Sequence, residues 1–309
     1  EFCRELPPIL LQRVERGLKQ AAHLKRMKLD TDGVVGGLLP EGEDVGHNVL
    51  IKHIATSKFL REVIIDDLDG HIAASTIGRY VQAVQANLYI TKLDLACHVM
   101  PTYAISQLLE NPKCAIVDLI LWHTQDEVPS CTTMSKLEFA KFCDAFASNT
   151  SVKKLRLIRF CLNYSDMKER KACPMNRSVT SLALEDCSFN FVSGCILANL
   201  FQSLKTLSLE EDDVTDGAGK FLQGFLHDNA PDSLADVCLT CNEAVAEQIA
   251  LFIVRNKCLT SLVLNTRGLL RVDLLRVDLL IHNVCLAVQE SPSITVPVSY
   301  THLTLPTIY

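Results

Sequence analysis

Val179–Leu184 reads VTSLAL, Leu204–Leu209 reads LKTLSL and Leu259–Leu264 reads LTSLVL. Each is an aliphatic residue, two variable residues, a second aliphatic, one variable residue and a third aliphatic. The same spacing opens nine repeats, at Leu24, Leu60, Ile90, Ile116, Val152, Val179, Leu204, Leu234 and Leu259. These starts lie 36, 30, 26, 36, 27, 25, 30 and 25 residues apart. Most intervals sit close to the period of roughly 20–29 residues at which one short strand and its crossover stack on the next copy. The two long intervals require insertions, which fall at Gly33–Gly46, rich in glycine and acid, and at His123–Thr133, which holds Pro129.

Within a repeat the aliphatic alternation is a strand whose apolar residues face the core at period two. The segment after it changes to helical spacing. Ile77, Val81, Val84 and Leu88 form one such face; Phe139, Phe142, Cys143 and Phe146 form another. So do Phe221, Leu222, Phe225 and Leu226, and again Val245, Ile249, Phe252 and Ile253. One strand plus one helix per repeat predicts a parallel sheet on one side and helices on the other, and helices are wider than strands, so the stack must curve. The expected fold is α/β: a curved repeat solenoid with a parallel β-sheet on the concave face and helices on the convex face.

The repeat VTDGAGKFLQGFLHDNAPDSLADVCLTCN, Val214–Asn242, resembles the ribonuclease-inhibitor-like subfamily of leucine-rich repeats, which also forms the sensor half of nucleotide-binding immune receptors. The resemblance covers Leu24 to Val296 and is strongest from Val179 to Leu264. Cys187, Asp212 and Asn242 each follow the last aliphatic of their strand by three residues. In that family an Asn or Cys at this place bonds backbone groups of the turn, which would otherwise be buried and unpaired. Asp212 and Arg267 depart from that pattern, and the first two repeats match it poorly.

The repeat array is expected to occupy residues 1–297. Val298–Thr307 reads VSYTHLTLPT and resembles a translated sequencing adaptor, so 298–309 is set apart as a non-native tail. Glu1-Phe2 is similar to a cloning scar. LLRVD occurs twice in tandem, at Leu269–Asp273 and Leu274–Asp278. Removing one copy would restore a 30-residue interval to a tenth repeat opening at Ile294, cut short at Pro297. Such an array lacks the polar caps that close solenoids.

The chain has 309 residues and a net charge of −6, which disfavours a general nucleic-acid footprint. Its 13 cysteines fall in apolar or repeat-register positions, as in a protein with reduced thiols working in the cytoplasm. Glycosylation-type sequons begin at Asn149, Asn163 and Asn176 and are read as coincidental. No apolar run reaches the roughly 20 residues that span a bilayer, so no membrane is expected as a partner.

Candidate chemistry is sparse. Cys238 and Cys241 form a single CxxC with no second pair of matching spacing, and so read as repeat positions and not as a zinc site. Gly217-Ala218-Gly219-Lys220 lacks the Gly at 214 and the Ser or Thr at 221 that a phosphate-binding loop needs; these are Val214 and Phe221. His47 and His53 share no helix face, and on a strand would stand roughly 20 Å apart. No Ser/His/Asp or Cys/His set has a supporting motif. The chain is expected not to be an enzyme and to hold no cofactor or metal.

What remains is surface. The variable residue between the last two aliphatics points out of the concave face: Lys28, Ile64, Asp94, Ile120, Arg156, Ala183, Ser208, Cys238 and Val263. Asp66, Trp122, Glu185, Glu210 and Asn265 follow the strands. Lys153, Lys154, Arg156 and Arg159 form a basic cluster; Glu185, Asp186 and Glu210–Asp213 form an acidic one. Such a split surface orients a protein partner and repels wrong ones. Trp122, the sole tryptophan, is a candidate anchor. Lys28, Asp94, Trp122, Arg156, Arg159, Glu185 and Glu210 are therefore the expected partner-binding residues. The function expected is a protein–protein interaction scaffold using its concave face. The resemblance implies alternatives: the sensing region of an immune-type receptor, a regulator of a GTPase or nuclease, or a ubiquitin-ligase substrate adaptor.

Overall fold

In the computed structural model every one of the nine aliphatic triplets runs into a β-strand. The residues described are 13, 16–18, 20, 23–30, 45–68, 70–123, 136–162, 175–210, 216–227, 233–240, 248, 250–254, 256, 258–265 and 299–301. The chain divides into an N-terminal half, residues 1–154, and a C-terminal half, residues 155–309. The N-terminal half contains β1 (Arg26–Asp30), α1 (Val45–Thr56), β2 (Glu62–Asp67), α2 (Ala74–Ala86), β3 (Lys92–Cys97), α3 (Thr102–Glu110), β4 (Asp118–His123) and α4 (Lys136–Ser148). In the C-terminal half lie β5 (Lys154–Ile158, its first residue on the boundary), β6 (Cys161–Leu162), β7 (Ser181–Glu185), β8 (Ser188–Phe189) and α5 (Phe191–Leu200). β9 (Thr206–Glu210), α6 (Asp216–His227), β10 (Asp236–Thr240), β11 (Ser261–Asn265) and β12 (Ser299–Thr301) complete it.

In the N-terminal half β1, β2, β3 and β4 pair in chain order, all parallel. In the C-terminal half β7, β9, β10, β11 and β12 do the same, and β6 pairs with β8 beside them. Parallel neighbours need a crossover, and the intervening helices supply it. The fold class is α/β, parallel strands alternating with helices, as the repeat predicts. β12 falls within the segment 298–309 set apart above and runs parallel to β11, with Ser299 opposite Val263. Ile294 and the LLRVD copies lie outside the described residues.

The core follows the triplets. In the second to ninth repeats all three aliphatics are 3 % exposed or less. In the first repeat Leu24, Met27 and Leu29 are only half-buried. Each fully buried aliphatic contributes about 1.5–3 kcal/mol relative to exposure, so the strands of repeats two to nine are anchored far more firmly than β1. The helices complete the core with Ile77, Val81 and Val84, with Phe139, Phe142, Cys143 and Phe146, with Phe221, Leu222 and Phe225, and with Phe252 and Ile253. Leu88 is a correction. α2 ends at Ala86, the turn rotates Leu88 off the helical face, and its side chain is 55 % exposed.

Asparagines seal the turns between helix and strand. Asn87 donates to the carbonyls of Ile54 (2.6 Å) and Ser57 (2.7 Å) and accepts from the N–H of Tyr89 (2.8 Å). Asn149 donates to Leu109 O (2.9 Å) and accepts from Val152 N–H (2.8 Å); Asn176 accepts from the N–H groups of Ser178 and Val179 (both 2.8 Å). Asn256 repeats the pattern with Leu234 O and Cys258 N–H. Each amide joins its own turn or reaches the preceding repeat, satisfying backbone groups that burial would otherwise strand. Two of the three sequons, at Asn149 and Asn176, are therefore structural, with exposures of 4 % and 1 %. Asn163 lies outside the described residues.

At the far end of the strands Cys187 acts as its place in the repeat implies. Its Sγ lies 3.4 Å from Leu157 O and 3.3 Å from Glu185 O, and accepts from Phe160 N–H at 3.4 Å. Asp212, Asn242 and Arg267 lie outside the described residues. Asp67, which sequence reasoning passed over, does comparable work after β2. It is fully buried and accepts from the N–H groups of His71 (2.8 Å) and Ile72 (3.1 Å).

Candidate interaction faces

In the N-terminal half the strand face opposite the aliphatics carries three rows fixed by the register. Arg26, Glu62, Lys92 and Asp118 stand side by side; next come Lys28, Ile64, Asp94 and Ile120; then Asp30, Asp66, Ala96 and Trp122. Alternating charges on adjacent strands pair across the rows. Glu62 takes Arg26 at 3.3 Å and Lys92 at 3.0 Å. Lys28 Nζ reaches Asp30 at 2.6 Å and Asp66 at 2.9 Å, and these hydrogen bonds, that to Asp30 foremost, raise its pKa above the ordinary lysine value. Exposed pairs of this kind contribute about 0–1 kcal/mol each, but they fix side-chain positions. Ile64 and Ala96, at 8 % and 3 % exposure, give the face a closed apolar centre.

The structure thus brings Lys28, Asp94 and Trp122 onto one face. Trp122 is half-buried beside Ala96, and its Nε1–H is buried with no hydrogen-bond acceptor among the described residues.

In the C-terminal half the middle row is Ala183, Ser208, Cys238 and Val263, in register as predicted. Glu185 and Glu210 are neighbours in the next row. Arg156 clamps Glu185 with both prongs of its guanidinium, Nη2 to Oε2 at 2.5 Å and Nε to Oε1. The basic and acidic clusters therefore meet in an ion pair instead of standing apart. Arg159 is exposed, its backbone left-handed at φ 58°, and its N–H donates to Glu185 O at 2.8 Å. Asp186 repeats that turn one strand on, at φ 48°, donating to Glu210 O. Ser208 Oγ donates to Glu210 Oε1 at 3.2 Å. Glu211–Asp213 lie outside the described residues.

The other motifs fall as follows. Cys238 is half-buried on β10, and its thiol pKa is raised by burial, more than Ser208 lowers it; Cys241 is outside the described residues. Gly217–Lys220 is helical, forming the start of α6. His47 and His53 both lie on α1; His47 Nδ1 meets Tyr80 Oη at 2.6 Å, and burial lowers the pKa of His53. Among the described residues no cluster of His, Cys, Asp or Glu could hold a metal ion, and no helix is long and apolar enough to cross a membrane. No protein family and no curated protein matches the chain.

Proposed function

We propose that the chain is a repeat scaffold of the ribonuclease-inhibitor-like kind that binds a protein partner on the outward face of its strands. The observation that carries this reading is Trp122. It is half-buried next to the apolar pair Ala96 and Ile120, on a face whose charges already hold one another in place. Partner apolar atoms cover Ile120 and the exposed part of the Trp122 ring, and a large aromatic in that position is a typical hot spot. A cytoplasmic setting goes with the reading, since Cys97 and Cys143 fill core positions of the repeats as small apolar side chains.

The test is calorimetric titration of a partner against Trp122→Phe, Trp122→Ala and Ile120→Arg. Loss of the ring should weaken binding by about 2–4 kcal/mol, and Trp122→Phe, which keeps an aromatic ring, should cost less. A partner whose affinity is unchanged by all three substitutions would show that this face is not the binding surface.

A further inference from the structure

A second surface lies where the strands of the N-terminal half begin. The backbone links five residues there in an unbroken series: Arg61 N–H donates to Lys25 O (2.8 Å), Thr91 to Arg61 O (2.9 Å), Val117 to Thr91 O (2.7 Å) and Lys153 to Val117 O (2.8 Å). Parallel strands are about 4.8 Å apart, so this rim runs about 19 Å, the span of about six extended residues.

Its chemistry is one-sided. The turns 23–25, 57–61, 87–91, 111–117 and 149–153 contain Lys25, Lys58, Arg61, Lys113 and Lys153, all exposed, and no Asp or Glu. The nearest acids are Glu62 and Asp118 on the strand face and Glu110 at the end of α3; Glu62 is held by Arg26 and Lys92. Large apolar side chains stand among the cations: Phe59 at 46 % exposure, Tyr89 at 46 %, Leu88 at 55 % and Val117 at 40 %. His23 meets the Phe59 ring edge-on at 5.1 Å, and the Arg61 guanidinium lies 5.3 Å over Tyr89.

We infer that this rim is a docking site for an acidic peptide segment bearing apolar side chains. Cations without acids along the row call for carboxylates, and the aromatics and aliphatics call for apolar side chains between them. Leu88 and Val117 favour a peptide over single-stranded nucleic acid, because aliphatic side chains offer bases no stacking surface. The rim's backbone groups are already bonded strand to strand, so docking is through side chains and not by adding a strand.

A displayed library of random twelve-residue peptides, panned on the whole chain, tests this independently of the Trp122 face. Peptides combining Asp or Glu with Leu, Phe or Tyr should enrich. A synthesised winner, followed by fluorescence anisotropy, should bind more than tenfold more weakly to the triple variant Lys25→Glu, Arg61→Glu, Lys113→Glu. The neutral set Lys25→Gln, Arg61→Gln, Lys113→Gln should lose less, and Lys28→Glu on the strand face should lose nothing. Absence of enrichment, enrichment of basic or uncharged peptides, or enrichment surviving the triple reversal would overturn the assignment. So would tighter binding of an oligouridine RNA than of the winning peptide.

Discussion

On the outward face of the N-terminal half the register sets Arg26, Glu62, Lys92 and Asp118 side by side; at the matching positions of the C-terminal half stand Ser181, Thr206, Asp236 and Ser261. The rims where strands begin differ in the same sense. Phe59 and Tyr89 of one half correspond to Ser178, Ser203 and Ser233 of the other, each one residue before an opening aliphatic. The backbone plan is shared: Lys205 N–H donates to Thr180 O, Ala235 to Lys205 O and Thr260 to Ala235 O, as in the rim described above. Core positions obey one rule in both halves, so the outward positions are free to differ. One half holds long, interlocked charges and exposed aromatics. The other presents a low floor of small side chains bordered by Glu185 and Glu210.

Helix packing differs as well, and it offers the strongest way to separate the halves. A Cβ on Gly224 would sit 2.0 Å from Phe191 O, and one on Gly194 would sit 2.2 Å from Phe221 O, so α5 and α6 touch backbone to backbone. Gly78 in α2 would meet nothing closer than Ala104 Cβ at 3.9 Å. Gly224→Leu should therefore cost at least about 3 kcal/mol and unfold the C-terminal half first. Gly78→Ala should be stabilising by up to about 1 kcal/mol. Hydrogen exchange followed peptide by peptide would show both, and a Gly224→Leu chain with undiminished protection in α5 and α6 would remove the distinction.

The turn asparagines mark what the halves share. Asn149→Ala leaves Leu109 O and Val152 N–H buried without partners and should cost about 2–3 kcal/mol in chemical denaturation; Asn176→Ala should cost a similar amount. A large inequality would mean that the two halves do not seal their turns by the same device.

Acid should separate them again. Burial lowers the pKa values of His53 and His123 below 6.5, with His98 adding to the effect at His123, and both belong to the N-terminal half. The neutral imidazoles are favoured by folding, so their contribution is complete above pH 6.5 and is lost as pH falls toward the folded values. Protection of α1 and β4 should therefore decline below pH 6.5 before that of β7 and β9; simultaneous loss would break the comparison. The smallest effect belongs to the surface ion pairs. Lys28→Met should move the denaturation midpoint less than any of these substitutions, because the Lys28 side chain is exposed and screened by water.

The strands were legible because their signal is local: three aliphatics within six residues, buried on one face, recur whatever lies between. The outward rows followed from the same alternation, which is why Lys28, Asp94 and Cys238 fell where expected. Contacts that depend on register were not legible. Arg156 and Glu185 are 29 residues apart, and only the stacking of their strands brings them together as an ion pair between the basic and acidic clusters. The basic rim was hidden for the same reason, its four lysines standing one to a turn in four of the five turns. Asn87, Asn149, Asn176 and Asn256 did leave a trace, each standing three residues before an opening aliphatic, but two of them were read only as coincidental sequons.

In a chain carried into a secretory compartment, those two buried amides would set folding and glycan transfer against each other. At Asn149 the Nδ2 that a transferase would modify is the atom donating to Leu109 O, so a sugar can be attached only while the turn is open, and once attached it keeps the turn open. Folding that outruns the transferase protects the site permanently. A chain glycosylated first could not close the repeats on either side, and each slow step in assembling α4 against its neighbours would lengthen the interval in which that outcome is decided.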